Sequence, residues 1–378
     1  MKKTAWGKSA RLLCVLLILT IVIIPQLGCQ ANLENNLSGS SAYQGISKEG
    51  YYLDTICQIT VYAMKDEDGR LADMDQEEQE QEVLQIITDA FLECDKYEKI
   101  LSRTIEDSEI ARINQAQGEP VEVSDTTIEV LQKGIEYGRL SGGLFDITIG
   151  KASDLWDFHD VDEEHQAEGE IPDEEQLKEA VSHVDYTKIQ IEGNTVTLED
   201  PEMEIDLGGI AKGYISDKIA GFLESRGVTS AVINLGGNIV TVGGRTTALL
   251  SDQMTPFSIG ITDPQSDRGE LLGAFPCQNK VVVTSGTYER YMIKDGVKYH
   301  HILDVETGYP ADTDVLSVTI IAEKGSGADA DGISTTCLVL GMEKGMEWIE
   351  SMDGVEAVFV DTEGNVQSSD PSIQFEEY

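Results

Sequence analysis

Residues 204–240 read EIDLGGIAKGYISDKIAGFLESRGVTSAVINLGGNIV, and this stretch decides the fold class. Glu204–Leu207 predicts a short strand, broken by a turn at Gly208-Gly209. Ala211–Ser225 follows as a helix stopped at Gly227, since glycine accepts the left-handed backbone of a helix end. Ser230–Leu235 predicts a further strand, closed by Gly236-Gly237. Strand, glycine turn, helix and strand in close succession call for an α+β domain rather than a bundle or a sandwich.

The same alternation continues outward. Upstream, Tyr51–Ala63 is β-branched and partly alternating, hence a strand, and Ile189–Leu198 contains another. Val83, Ile86, Ile87, Ala90, Phe91 and Cys94 recur at helical spacing, predicting a helix over Val83–Ile100. Ser124–Ser141 predicts a helix ended by Gly142-Gly143. Downstream, strands are expected near Val281–Ser285 and Leu316–Ala322, then a helix from Ala328 into Leu340. With no repeat and no linker after residue 50, residues 51–365 read as one compact α+β domain, with mixed or antiparallel sheets and flanking helices. Residues 366–378 read as an acidic C-terminal tail.

The chain has 378 residues, 27 Lys+Arg against 69 Asp+Glu, and a formal charge of −42. That balance excludes nucleic acid as a main partner, because a phosphate backbone needs a basic surface. It still admits a small phosphorylated ligand held through a metal. Residues 66–82 hold nine acids and one Arg, a solvated insertion or a helix start; residues 157–175 hold ten acids and no Lys or Arg, a second exposed loop.

The N-terminus sets the expected compartment. Residues 1–28 carry Lys2, Lys3, Lys8 and Arg11 and no acid, and Leu12–Ile24 is apolar apart from Thr20. This apolar run is short for a membrane span, and Pro25 ends it. Leu27-Gly28-Cys29 resembles a bacterial lipoprotein signal, with cleavage before Cys29 and lipid on its thiol; an uncleaved anchor or an ordinary secretory peptide is the alternative. Residues 29–50, rich in Asn, Ser and Gly, read as a flexible tether. Cys57, Cys94, Cys277 and Cys337 are widely spaced, compatible with disulfides or with buried thiols.

Four segments carry chemistry. Asp206-Leu-Gly-Gly-Ile-Ala-Lys-Gly213 puts glycines and Lys212 at a helix N-terminus, suited to a phosphate but equally to a plain turn. Asn234-Leu-Gly-Gly-Asn238 ends a strand as a ligand site or a simple β-turn. Thr284–Tyr291 and Tyr299–Pro310 bring His300 and His301 near Asp304, for acid–base work or for pinning a hairpin. In Ala330–Thr335, Asp331 and Thr335 lie four apart and share a helix face, a hard-oxygen set suited to Mg²⁺, or a helix cap. Asp329 is a weaker ligand candidate, because its partner four residues on is Ile333.

Together and in this order, these segments resemble the ApbE family of FAD:protein FMN transferases. The likeness covers about residues 51–345 and is strongest at LSRTIEDSEIARIN (101–114), GGLFDITIGKASDLWDF (142–158), DLGGIAKGY (206–214), INLGGNI (233–239), TSGTYERY (284–291), HHILDVETGYP (300–310) and ADGISTTCLVLG (330–341). It implies a T-fold-like domain, often in an exported lipoprotein. It further implies Mg²⁺ on the FAD pyrophosphate, held by the Gly209 carbonyl with the side chains of Asp331 and Thr335. Flavin contacts are implied for Leu53, Thr104, Gly143, Leu144, Phe145, Asp146, Asp206, Lys212 and the Leu303 backbone. His301 matches the family's catalytic histidine, with Asp304 as a relay. Thr104 stands where an aromatic residue is common, Leu53-Asp54-Thr55 replaces Met-Gly-Thr, and Val305 replaces a proline.

The implied reaction is attack by a Thr or Ser hydroxyl of an acceptor protein on the FMN-side phosphorus of FAD, with AMP leaving. The implied acceptor is a flavoprotein subunit of a membrane redox complex or an extracellular electron-transfer protein. The implied location is the outer face of the bacterial cytoplasmic membrane, or the periplasmic side, through lipid on Cys29. Hydrolysis of FAD to FMN and AMP, and a non-catalytic flavin-binding lipoprotein, are the competing readings.

Overall fold

The computed structural model describes residues 43–156, 158, 170–266, 269–370, 373 and 376–377. The expected signal peptide, Cys29, the tether as far as residue 42 and most of the acidic 157–175 stretch lie outside the described residues. The chain begins with β1 (Ile46–Tyr52), β2 (Thr55–Met64), α1 (Gln76–Leu101), α2 (Glu109–Gln115), β3 (Val121–Glu122) and α3 (Asp125–Leu140). It continues with α4 (Gly150–Trp156), α5 (Glu174–Val181), β4 (Ile189–Glu192), β5 (Thr195–Leu198), α6 (Ala211–Ser225), β6 (Val228–Leu235) and β7 (Asn238–Val242). Then come β8 (Phe257–Thr262), β9 (Leu271–Cys277), β10 (Lys280–Gly286), β11 (Tyr291–Lys294), β12 (Val297–His300) and β13 (Val315–Glu323). The last elements are α7 (Gly327–Leu340), α8 (Met342–Glu350), β14 (Glu356–Asp361), β15 (Val366–Ser368) and β16 (Glu376–Glu377).

The centre is an eight-stranded sheet in the order β1-β2-β6-β7-β10-β13-β14-β15, antiparallel at each pairing. Helices α1, α6 and α7 bury the main core against one face, through Ile87, Phe91, Ile215, Ile219, Leu223, Ile333 and Leu338. On the other face β8 and β9 pack Phe257, Ile259 and Phe275 against Val282, Ile321 and Val358. This is the expected α+β architecture with antiparallel sheets. The four cysteines Cys57, Cys94, Cys277 and Cys337 are buried thiols.

Several expected boundaries move. Residues 46–50, expected as tether, belong to β1. The single strand expected over Tyr51–Ala63 is the second part of a hairpin: Leu53 and Asp54 both take positive φ, 55° and 56°, the geometry of a tight two-residue turn. Glycine and asparagine usually mark that turn, and their absence hid it. The acids at 75–82 form the first turns of α1, whose Asp75 and Glu78 make a reciprocal capping box. Glu204–Leu207 joins no ladder beyond the single bridge from Ile149 to Glu204. The Asn114 side chain supplies the missing strand instead: its Oδ1 accepts from Ile205 N (2.8 Å) and its Nδ2 donates to Ile205 O (2.9 Å). Within the expected C-terminal tail, Val366–Ser368 forms β15 at the edge of the main sheet and Glu376–Glu377 forms β16, paired with β9.

Helices α6 and α7 cross where neither carries a side chain. A Cβ on Gly213 would lie 2.0 Å from the Gly327 carbonyl oxygen, and one on Gly327 would lie 2.3 Å from Gly213 O. Backbone cannot yield as a side chain can, so Gly213→Ala should lower unfolding free energy by about 3 kcal/mol. Urea denaturation would read this directly, and a variant as stable as the parent would show that the crossing relaxes freely.

Candidate active site

The crossing of α6 and α7 opens into a groove of about 270 Å³ walled by segments from across the chain. Gly209, Lys212, His301, Asp331 and Thr335 all line it. Of the expected flavin contacts, Leu53, Thr104, Leu144, Phe145, Asp146, Asp206 and Leu303 line it as well.

At one end lie the oxygen donors. Asp331 Oδ2 accepts from the Gly213 amide at 2.9 Å, which ties α7 to the first turn of α6. Burial raises the pKa of Asp331, while Lys212 and the Gly213 amide oppose the rise. The Asn238 amide faces the same carboxylate without closing a regular hydrogen bond. A Cβ built on Gly209 would lie 3.4 Å from Thr335 Oγ1 and 2.9 Å from the Phe145 ring, so the Gly209 backbone sits against the Thr335 hydroxyl. Asp329 turns away, accepting from Lys133 Nζ (2.7 Å) and Tyr137 OH (3.0 Å). Ser334 is also spoken for, bonded to Ser285 Oγ at 2.7 Å and to Asp331 O at 2.9 Å.

This donor set fits Mg²⁺. It is all oxygen, it carries one buried carboxylate with an oxygen not engaged by the backbone, and it leaves room for phosphate and water ligands. Among the described residues there is no group of three or more His, Cys, Asp or Glu that could cage a metal by itself. A metal held there would take its remaining ligands from a bound molecule or water. Lys212, which makes no ion pair among the described residues, supplies positive charge at the start of α6.

His301 lines the groove farther along. Its Nδ1 lies 3.1 Å from the Arg290 carbonyl oxygen, and its backbone amide donates to the same oxygen at 3.0 Å. A carbonyl only accepts, so Nδ1 carries the proton and Nε2 is the basic nitrogen. Burial, with help from Lys212, holds the ring neutral and pushes its pKa down to about 3. Glu289, absent from the expected set, also lines the groove. Glu289 is exposed at the groove's edge; partial loss of hydration raises its carboxyl, with Lys212 opposing and Asp331 adding to the rise.

Three expected site residues play other parts. Asp304 is not on the groove wall, and among the described residues no hydrogen bond joins it to His301. Its Oδ1 accepts from Glu306 N (2.8 Å), Thr307 N (2.9 Å) and Thr307 Oγ1 (3.2 Å), closing the turn that follows Leu303. Gly143 is off the wall too; with φ of 93° and its amide bonded to Gly138 O at 2.8 Å, it ends α3 and aims Leu144 and Phe145 inward. Asp146 lines the groove, yet its oxygens are taken by Thr148 and by Tyr186 N, which makes it a brace for this loop.

The sequence left Arg103, Phe158, Glu289 and Arg290 without roles. Arg103 is buried against Asp154 (2.7 Å) and Glu204 (3.4 Å), and it reaches 3.7 Å from Asp206, whose other oxygen accepts from Gly208 N. Arg290 donates to Asp54 O at 3.4 Å, joining the β1–β2 turn to the His301 segment. Each lies inside a segment that carried the family likeness, but a lone Arg or Phe there has no spacing rule to flag it.

Comparison with known proteins places the chain's family. The ApbE family model matches residues 53–359. The FAD:protein FMN transferase of Treponema pallidum is 32% identical over 341 residues, covering 88% of each chain. That of Klebsiella pneumoniae is 34% identical over 281 residues, covering 73% of this chain and 82% of the relative. Among solved structures, the ApbE protein of Thermotoga maritima superposes with a TM-score of 0.73 at 28% identity, covering 89% of this chain and 100% of that one. The flavin transferase ApbE of Vibrio cholerae gives 0.69 at 26% identity, covering 85% and 96%. By family model, sequence and fold alike, the chain belongs to the ApbE family.

Proposed function

We propose that this chain transfers FMN from FAD to a Thr or Ser hydroxyl of an acceptor protein, with Mg²⁺ bound at Gly209, Asp331 and Thr335 and with AMP released. One observation carries the reading: an oxygen-donor corner, a lysine with no ion pair among the described residues and a neutral histidine from distant segments share one groove. The relatives named above are themselves called FAD:protein FMN transferases.

Bound Mg²⁺ supplies charge neutralisation on the pyrophosphate. The chain does the rest by positioning, as phosphoryl chemistry asks for little covalent help. Lys212 holds a phosphate oxygen, and Leu53, Leu144, Phe145 and Phe158 offer apolar walls to the flavin rings. His301 Nε2 takes the hydroxyl proton as the acceptor oxygen bonds to the FMN-side phosphorus and the bond to AMP breaks. Incubation with FAD, Mg²⁺ and a candidate acceptor protein tests this, read as a mass gain of one FMN on the acceptor together with AMP. FMN and AMP without a mass gain would mean hydrolysis, and FAD returned intact would mean a carrier.

The N-terminal sequence supports a place for this activity: anchored by lipid on Cys29 at the outer face of the bacterial cytoplasmic membrane. The acceptor would then be a flavoprotein subunit of a membrane redox complex or an extracellular electron-transfer protein.

A further inference from the structure

Strands β11 and β12 form a two-stranded sheet of their own, turned at Asp295-Gly296, where both residues take positive φ. A lone hairpin is marginal in water. This one is anchored on its inner face by Met292, buried with Trp156, Phe158 and Leu303. Towards the turn both faces open to solvent: Ile293, 39% exposed, pairs with Lys298 on the face away from Met292, and Val297, 52% exposed, pairs with Lys294 on the Met292 face.

Its charge is opposite to that of the molecule. Residues 290–298 carry Arg290, Lys294 and Lys298 against the single acid Asp295, in a chain with 27 basic and 69 acidic residues. Among the described residues neither Lys294 nor Lys298 forms an ion pair, whereas Lys96, Lys99, Lys178, Lys218 and Lys280 each do; Lys298 rests 4.0 Å over the Tyr291 ring. The base of the hairpin is the reacting end of the groove, because Arg290 directly precedes β11, His301 directly follows β12, and the two are hydrogen-bonded. A protein chain bound along this hairpin would therefore lead to His301.

We propose that β11–β12 is the docking surface for the acceptor: an extended acidic segment of the acceptor adds along the open edge of this two-stranded sheet, its alternate side chains meeting Lys298 and Ile293 on one face and Lys294 and Val297 on the other, and delivers its hydroxyl to His301. This rests on the transfer reading above. The occupant is acidic because the hairpin is basic, and it is polypeptide because the contact surface is strand-shaped and partly apolar.

The test uses the full chain with FAD, Mg²⁺ and an acceptor protein that the parent enzyme flavinylates. K294E/K298E alters two side chains outside the groove, so FAD affinity, read by flavin fluorescence, should stay unchanged. The KM for the acceptor should rise about tenfold or more with kcat nearly unchanged. K294R/K298R should restore the parent KM, which a merely structural role of the lysines would not require. Added salt should raise the parent's KM and leave that of K294E/K298E nearly flat. An acceptor KM within about twofold of the parent in K294E/K298E overturns the docking while the transfer reading stands. Failure of the parent to flavinylate any acceptor overturns both.

Discussion

Asp331→Asn should lower FMN transfer by about three orders of magnitude, close to 4 kcal/mol of transition-state stabilisation, while leaving the fold in place. Asparagine keeps an oxygen able to accept from the Gly213 amide, so the link between α6 and α7 survives. What it loses is the buried negative charge beside Gly209 and Thr335, on which the proposed Mg²⁺ site depends. Transfer rate against Mg²⁺ concentration is the measurement, with thermal unfolding as the check on folding. The Mg²⁺ response should flatten or shift to far higher concentration. Asp329→Asn is the matched control, two residues away on another face of α7, where it removes a partly exposed pair with Lys133 and should leave turnover within about twofold. Equal loss in both variants would mean that α7 is merely perturbed, and unchanged turnover in Asp331→Asn would remove the metal assignment.

That Asp331 and not Asp329 faces the groove with Thr335 was legible in the sequence, because helix periodicity alone puts Thr335 over Asp331 and Ile333 over Asp329. The α6 helix and the glycines before it were legible for a similar reason: local backbone chemistry fixes them. The strand at Glu204–Leu207 was misjudged because a side chain, Asn114, took the place of a neighbouring strand, and no local pattern encodes a partner 91 residues away. The Leu53-Asp54 turn was hidden because non-glycine residues hold a glycine-like conformation there, next to a hydrogen bond from Leu53 N to Glu98 Oε1 (2.9 Å). Asp304 shows the opposite error. Proximity in sequence to His301 suggested a relay, whereas an aspartate before Val-Glu-Thr-Gly finds its best partners in its own turn. The histidine turned instead to the carbonyl of Arg290, across the hairpin, a contact that only the folded chain provides.

His301→Ala should lower transfer by about 10²- to 10⁴-fold without weakening FAD binding, the range for loss of a positioned base. The local backbone should hold, because the residue 301 amide still donates to Arg290 O. The pH dependence makes the assignment sharper. An ordinary histidine, with a pKa near about 6.5, would lose its basic form as pH falls below that value. His301 is held down to about 3 by burial and by Lys212, so its basic form persists and the parent rate should not fall on its account between about pH 7 and pH 5. The sign for stability is the reverse of an advantage. On acidification the unfolded chain takes up the proton near its ordinary value while the folded chain refuses it until about 3, so folding stability is full above the ordinary value and declines as pH falls between the two. His301→Ala should therefore lose part of that acid destabilisation even as it loses activity. Glu289, whose carboxyl is also raised, lines the same groove, so the profile is recorded in Glu289→Gln as well. A parent profile that falls below pH 6.5 in both the parent and Glu289→Gln would show that His301 titrates like a solvated histidine, and that the groove does not keep it as a neutral base.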